Sequence, residues 1–236
     1  MPEQSGVART LAMGTEESRP AWLRATEGEH RWWIALALTV AIGVQFALPD
    51  RFVLHPAYVS PAVEAALLVV LILMHPDRQS QRTRRLRMAS QLLLAIIAIT
   101  NTIAVVLLIR TITTGHHVRP DTLLVGGGEI WLTNTIVFAL WYWEYDRGGP
   151  AARAHGRMDV PDLLFPQLTD EHLAHDWEPM FVDYLYVSFT NSTAFSPTDT
   201  MPLSRWAKLL FALQAIVSLV TVALIAARAV NILPSG

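Results

Sequence analysis

Apolar residues along this 236-residue chain are grouped into five blocks that are long enough, or nearly so, to cross a lipid bilayer. A transmembrane helix needs about 20 consecutive, mostly apolar residues. Tryptophans flank several of the blocks, as is typical where helices meet the membrane surface. The pattern predicts transmembrane helices over residues 32–48, 59–74, 88–109, 123–143 and 206–230.

Residues 184–210, with the sequence YLYVSFTNSTAFSPTDTMPLSRWAKLL, depart from this pattern. A polar and aromatic stretch leads into a turn rich in serine, proline and threonine, and the turn leads into the longest apolar block. We interpret the segment as a short helix, a non-helical loop at membrane depth and a return through the bilayer. Irregular backbone is tolerated inside a membrane only where protein or a water-filled cavity surrounds it. The loop therefore indicates a pore or a binding site.

These elements predict an all-α integral membrane protein with five transmembrane helices and a short, pore-helix-like re-entrant segment before the last helix. The composition agrees, since only 16% of the residues are charged, against about a quarter in soluble domains. In chain order we expect a flexible polar tail, four transmembrane helices, a polar connecting loop, the pore-helix-like segment with its turn, and a last helix with a short tail, over residues 1–30, 31–143, 144–177, 178–202 and 203–236.

Charge and composition argue against several classes of function. The net charge of −2 gives no basis for a nucleic-acid partner. The chain has no cysteine, which excludes disulfides, thiol catalysis and cysteine-based metal sites. No nucleophile–base pair, phosphate loop or metal motif stands out, so we expect neither an enzyme nor a cofactor. Lys208 is the single lysine among 18 basic residues, a bias typical of a GC-rich bacterial genome.

Four polar side chains inside the predicted spans are candidates for function, because polar groups are costly at membrane depth. Glu64 lies one turn into its helix, where the helix dipole favours an anion, so a structural role is the stronger interpretation. Asn101 lies mid-span, where asparagine usually bonds to another helix. Glu129 and Asn134 follow three glycines at 126–128. Those glycines predict a broken helix start, a hinge or a tight helix contact.

Two pairs of histidines raise the question of a metal site. His172 and His175 are three residues apart among acidic residues, and on a helix that face suits a metal ion. A solvated acidic helix explains the same pattern and is favoured. His116 and His117 are adjacent and point in different directions on most backbones, so we predict no metal site at either pair.

The segment from Tyr184 resembles the pore loop and inner helix of potassium channels over about 45 residues. Without gaps, Ser188 falls on the pore-helix serine and Thr193 on the first threonine of TTVGYGD. The rest of that filter motif falls on Ala194, Phe195, Ser196, Pro197, Thr198 and Asp199. A proline, a tryptophan and a basic residue found after the filter in some bacterial channels fall on Pro202, Trp206 and Lys208. The resemblance implies a pore of four chains around an axis.

The filter positions depart from the potassium-channel pattern in one important respect. Ser196 and Thr198 replace both glycines and Pro197 replaces the tyrosine. A potassium filter stacks backbone carbonyls, in backbone conformations that glycine adopts readily. Proline fixes its own φ and restricts the residue before it. The resemblance therefore carries over the surrounding scaffold and Asp199, but not potassium selectivity.

A second resemblance covers roughly the second half of the chain. The motif ALWYW ends the fourth span, and a loop, the motif DYLYVSFTNSTAFSPTD and a final helix ending in AVN follow. This order is similar to an uncharacterised bacterial membrane family of the DUF1345 type, whose members share a Y-F-x-F-T and S-D-like pattern before the last helix. The resemblance implies no particular activity.

The arginines predict the orientation of the chain in the plasma membrane. The chain up to Arg31, the 75–90 loop and the 144–177 connection carry four, five and three of them, and the alternate loops carry only Arg51, Arg110 and Arg119. The positive-inside rule then places the N-terminus in the cytoplasm. A potassium-channel pore loop faces outside, which would require the opposite orientation of every earlier span. Either the loop enters from the cytoplasm and the C-terminus is outside, or residues 181–195 cross as a short sixth span.

Three functions follow from these patterns. The first is a channel-like pore in a homo-oligomer, with residues 193–199 as its constriction and an inorganic ion as the candidate permeant. The second is a small transporter or ligand-binding membrane protein that uses Glu64, Glu129, Asn134 and Asp199. The third is a non-conducting structural or partner-binding protein that keeps the shape of a pore loop. We take the channel-like pore as the main hypothesis.

Overall fold

The computed structural model describes residues 20–30, 32–74, 84–114, 119–157, 160–170, 176–193 and 199–232. Most of these residues belong to seven helices: α1 (Trp32–Ala47), α2 (Val59–Met74), α3 (Arg84–Thr113), α4 (Pro120–Tyr145), α5 (Pro150–Ala154), α6 (Phe181–Thr193) and α7 (Arg205–Ile232). Two short strands, β1 (Leu163–Leu164) and β2 (Met201–Pro202), pair with each other. The expectation of a mainly helical chain is confirmed.

Three helices, α3, α4 and α7, are long and apolar enough to cross a membrane, and they indicate a membrane protein. Helices α1 and α2 are apolar but have 16 residues each. At 1.5 Å per residue they are about 24 Å long, which is less than the roughly 30 Å of a bilayer's hydrocarbon core. The described residues therefore support three of the five predicted spans by length and composition, and the spans at 32–48 and 59–74 stay a prediction.

Helix α3 begins at Arg84, within the segment that the sequence analysis took as a basic loop over 75–90. Arginine is a good helix former, so the basic residues extend the apolar helix instead of ending it. The Arg87 guanidinium Nε lies 3.2 Å from Glu144 Oε1, near the end of α4. This ion pair fixes the start of α3 beside the end of α4.

The glycines at 126–128 lie inside the continuous helix α4, which excludes a broken helix start for this segment. They permit close packing instead. A Cβ atom added at Gly126 comes within 2.6 Å of the buried Phe52 ring, and one at Gly127 meets the Ile225 side chain on α7. Of the three expectations for these residues, the tight helix contact is the one observed.

Helix α4 is the central helix of the bundle and packs against α1, α3, α6 and α7. Two thirds (67%) of its most apolar stretch is buried, against 22% for α7. The outward side chains of α7 are apolar, with Leu209 71% exposed and Ile216 60% exposed. Such a surface suits contact with lipid, where apolar side chains need no cover.

The chain after α4 folds back onto the end of the bundle. Arg147 has a positive φ of 50°, and the short α5 and β1 follow. Strand β1 pairs antiparallel with β2, with Leu163 opposite Pro202 and Leu164 opposite Met201. Because β2 directly precedes α7, the polar connection between α4 and α6 and the start of α7 lie together at this end of the bundle, which we call the α4-exit end.

Residues 20–30, which the sequence analysis assigned to the flexible tail, pack against the α4-exit end. Both carboxylate oxygens of Glu29 accept hydrogen bonds from the backbone N–H of Phe181, and the Trp143 indole donates to the same carboxylate at 2.9 Å. The charged side chain thereby caps the start of α6. A polar composition did not reveal this role, because the partners are more than a hundred residues away along the chain.

Candidate functional site

Helix α6 lies between α4 and α7, at the position in the bundle that we expect for a re-entrant helix. It begins at the α4-exit end beside Glu29 and packs between α4 and α7. Its 13 residues give it a length of about 20 Å, which is too short to cross a bilayer. The chain is back at the α4-exit end by Met201, where β2 pairs with β1. The start of α6 and β2 therefore lie at the same end of the bundle, which favours a re-entrant path over the alternative of a sixth span over 181–195.

Gln214 of α7 joins α6 to both long helices beside it. Its amide nitrogen lies 2.6 Å from the Ser188 hydroxyl and 2.7 Å from the Ser192 hydroxyl, both on α6. Its amide oxygen accepts hydrogen bonds from the Tyr142 hydroxyl at 2.6 Å and from Asn191 at 2.9 Å. The Gln214 side chain is fully buried. We call these five residues the Gln214 network.

Further bonds anchor α6 to α4. The Ser188 hydroxyl donates to the Thr135 carbonyl oxygen at 2.6 Å, and the Thr135 and Ser192 hydroxyls are 3.1 Å apart. Next to Thr135, the predicted site residue Asn134 donates to the Ser218 hydroxyl on α7 at 3.1 Å. Asn134 is therefore a helix-to-helix contact. Polar bonds of this kind hold membrane helices together because apolar contacts alone give little preference over lipid.

The residues predicted to form the constriction are only partly within the described chain. Thr193 is the last residue of α6, is half-buried, and its hydroxyl donates to the Thr190 carbonyl oxygen at 2.8 Å. Asp199 is exposed and directly precedes Thr200 and β2. The predicted positions Ala194, Phe195, Ser196, Pro197 and Thr198 lie outside the described residues.

Two aspartates stabilise the α4-exit end where α6 begins. Asp146 accepts hydrogen bonds from the backbone N–H groups of Asp162 and Leu163, and from the Tyr184 hydroxyl at 2.7 Å. Asp162 in turn accepts the indole N–H of Trp206, in the first turn of α7, at 2.9 Å. Together the two carboxylates connect the ends of α4, α6 and α7 through β1.

Buried cations accompany these carboxylates. Arg153 donates to the backbone carbonyls of Trp143 and Asp146, and its guanidinium lies 5.1 Å from the centre of the Tyr184 ring. Burial raises the pKa of the nearby Glu29 carboxyl, although the hydrogen bond from Phe181 opposes that rise. The α4-exit end is thus a dense, charged scaffold that fixes where α6 enters the bundle.

Glu64, the first predicted intramembrane acid, is enclosed by other helices. Its side chain is fully buried, and its two carboxylate oxygens accept hydrogen bonds from Gln45 of α1 at 2.8 Å and Thr100 of α3 at 3.0 Å. These partners satisfy both oxygens, so Glu64 joins three helices. This arrangement agrees with the structural interpretation made from the sequence.

The other two predicted polar residues, Asn101 and Glu129, line one cleft between α1, α3 and α4. The cleft has a volume of about 400 Å³, counting space that opens to the outside. Gln45, Thr133 and Phe52 also line it. None of the α6 or α7 residues lines it. The described structure therefore separates the predicted site residues into two groups, one at α6 and one at this cleft.

No cluster of three metal-binding side chains occurs among the described residues. His172 with His175, and His116 with His117, belong to segments outside them. The prediction of no metal site at these pairs therefore stays a prediction.

The residues that hold α6, above all Gln214, Tyr142 and Asn191, were not among those predicted from the sequence. A signal for Gln214 was present. Gln214, Ser218 and Thr221 are the polar residues of a long apolar run and recur at intervals of four and three, which places them on one face of a helix. All three are buried. The partners on α4 and α6 lack such a pattern because those helices are polar and aromatic on several faces.

Comparisons with known proteins found no matching family model, no matching curated protein and no matching solved structure.

Proposed function

We propose that this chain is a bacterial plasma-membrane protein that forms a channel-like pore around α6 and residues 193–199. The order of elements carries the proposal. A long helix, α4, ends where a short helix enters the bundle, and a long helix, α7, starts where the chain returns. The potassium-channel pore module that residues 184–210 resemble has the same order of elements. The resemblance is one of scaffold, because the filter glycines are replaced.

The Gln214 network supports the same proposal. A helix that stops at mid-membrane needs partners for its polar groups, since lipid supplies none. Ser188, Asn191 and Ser192 on α6 all bond to Gln214. Such a set of buried hydrogen bonds suits a helix whose position matters for function, as in a pore wall. A helix serving only as packing would be less costly with apolar side chains.

We further propose a homo-oligomer, with four chains by analogy with potassium channels. One face of α6 is only partly covered by the described residues: Val182, Tyr186 and Phe189 are 56%, 56% and 49% exposed. Their spacing of four and three residues places them on one side of the helix. In a pore built from several chains, this face meets a neighbouring copy or the pore axis.

The orientation completes the proposal. The arginine distribution favours a cytoplasmic α4-exit end, so α6 enters the membrane from the cytoplasm and α7 runs outward. In this arrangement α1 and α2 also cross the membrane, so that together with α3, α4 and α7 the chain has five spans. Two short helices are accommodated by local thinning of the bilayer or by neighbouring helices at modest cost.

Ion flux into liposomes tests the pore. Purified protein is reconstituted, and uptake of K⁺ and Na⁺ is followed with an entrapped fluorescent indicator. We expect flux above that of empty liposomes and a several-fold change in Asp199→Ala. The control is Asp121→Ala, an exposed aspartate in the first turn of α4, at the opposite end of the bundle. It should leave the flux unchanged.

Two results would contradict this proposal in different ways. Wild-type protein without flux would reject the pore and favour the non-conducting, partner-binding alternative, which predicts a stable copurifying protein. Flux that Asp199→Ala leaves unchanged would keep the pore but remove residue 199 from its constriction.

A further inference from the structure

The cleft between α1, α3 and α4 contains a buried polar atom that has no partner among the described residues. Asn101, which is 6% exposed, and Thr133, which is 2% exposed, both line the cleft. Glu129 also lines the cleft, and its Oε2 atom is buried without a partner. Buried polar groups in proteins are nearly always paired, so the unpaired Glu129 oxygen, in a cleft that two further polar side chains line, points to a ligand.

Gln45 adds a fourth oxygen to the same cleft. Its amide nitrogen donates to Glu64 at 2.8 Å. This bond fixes the orientation of the amide group, because a carboxylate oxygen accepts only from a donor and the amide nitrogen must therefore face Glu64. The amide oxygen of Gln45 is then left as an acceptor beside the cleft that the residue lines. Glu64 itself is not among the lining residues, and both its oxygens are already used.

The chemistry of these groups selects the class of ligand. Carboxylate, amide and hydroxyl oxygens are hard donors that suit alkali and alkaline-earth cations and suit softer metals poorly. Only one carboxylate, that of Glu129, lines the cleft. One negative charge at membrane depth is balanced by one positive charge, whereas a calcium site commonly uses several carboxylates and six to eight oxygens.

We propose that Gln45, Asn101, Glu129 and Thr133 form a binding site for a small monovalent inorganic cation of the size of Na⁺. The site lies between α1, α3 and α4 and shares no residue with α6 or residues 193–199. It therefore stands whether or not the chain conducts. Phe52, which is fully buried, lines the cleft and lies against Gly126 of α4.

Sodium-dependent stability tests the site. Purified protein in detergent is heated in choline chloride, and Na⁺ replaces choline at constant ionic strength. A ligand at concentration L that binds only the folded state stabilises it by RT ln(1 + L/Kd), so the unfolding temperature rises with the logarithm of the ligand concentration above Kd. We expect a rise of several degrees in wild type that continues with the logarithm of the Na⁺ concentration. Glu129→Gln should abolish the rise, and Thr133→Val, which keeps the side-chain shape, should shift it to at least tenfold higher Na⁺.

Asp121→Asn is the matched control, since it removes a carboxylate from the same helix but from an exposed position. It should keep the full sodium response. Binding of radioactive ²²Na⁺ by the same preparations gives a second readout that does not depend on unfolding. If Glu129→Gln folds poorly, the result for Thr133→Val decides the test. An equal response to Na⁺ and choline in wild type, or unchanged ²²Na⁺ binding in Thr133→Val, overturns the proposal and leaves a water-filled cleft.

Discussion

The amide nitrogen of Gln214 on α7 lies 2.6 Å from the hydroxyl oxygen of Ser188 on α6. The Ser188 hydroxyl donates in turn to the carbonyl oxygen of Thr135 on α4. A single short helix is thus linked to both helices that flank it, within the apolar part of the bundle. The bonds connect residues 26 and 53 positions apart along the chain.

We expect Gln214→Leu to lower the free energy of unfolding by about 2–4 kcal/mol, because it leaves several buried polar groups on α4 and α6 without a partner. Unfolding of the protein in mixed detergent micelles measures the change. Leu213→Ala is the control, since Leu213 is 52% exposed on the same helix, and its effect should stay below about 1 kcal/mol. Equal losses in both variants would contradict a special role for the Gln214 network.

Gly126 and Gly128 provide a second test, because they are neighbours with opposite surroundings. A Cβ at Gly126 meets two atoms of the Phe52 ring at 2.6 and 2.7 Å, and one at Gly128 meets nothing within 4 Å. Overpacking predicts that Gly126→Ala lowers stability by about 1–3 kcal/mol. Alanine's helix propensity predicts that Gly128→Ala raises stability by up to about 1 kcal/mol. Thermal unfolding of the two variants side by side should give shifts of opposite sign.

The buried Glu29 carboxyl predicts a pH dependence. Its pKa is raised by burial, so the folded chain holds this proton more tightly than the unfolded chain does. The favourable contribution of Glu29 is then complete below the ordinary glutamate pKa of about 4.3 and is lost as pH rises through the raised value. We expect wild type to lose stability relative to Glu29→Gln as pH increases over that range. A difference that does not change with pH would refute this expectation.

The absence of cysteine allows a direct test of topology. Residues 151 and 199 lie at the α4-exit end, whereas Thr114 follows the last turn of α3 at the other end. Single cysteines introduced as Ala151→Cys, Asp199→Cys and Thr114→Cys are labelled in intact cells with an impermeant thiol reagent. We expect labelling of position 114 only, since the positive-inside rule favours a cytoplasmic α4-exit end. Labelling at 151 and 199 with protection of 114 would reverse the orientation, and opposite results for 151 and 199 would contradict the re-entrant path of α6.

The position of each main helix could be predicted from the sequence, but the ends of the long helices could not. Helix α2 spans the predicted range 59–74, since a proline, a histidine and apolar periodicity mark its limits. Helix α3 extends four residues further at each end than predicted, from Arg84 to Thr113. Charged and polar residues are compatible with helix once they reach the membrane surface, so hydropathy alone does not define where a helix stops.

The candidate site was predictable in part. The polar-aromatic pattern after Tyr184 indicated α6, and the cost of burying a carboxylate in a membrane indicated Glu64 and Glu129. The partners of these residues were not predictable. Glu64 bonds to Gln45 and Thr100, which are 19 and 36 positions away, and local patterns contain no information about such distant contacts.

The sequence by itself determined that this chain is helical, that its helices are apolar enough for a membrane, and that a short polar helix precedes the last one. These properties follow from local composition and periodicity, which each segment carries on its own. Only the tertiary structure decided that the start of α6 and β2 lie at one end, because that depends on the pairing of β1 with β2. It alone also decided that Asn101, Glu129 and Thr133 meet in one cleft while Asn134 turns to Ser218. A helix presents residues one position apart to different neighbours, so packing, and not residue type, decides whether a polar residue lines a cleft or joins two helices.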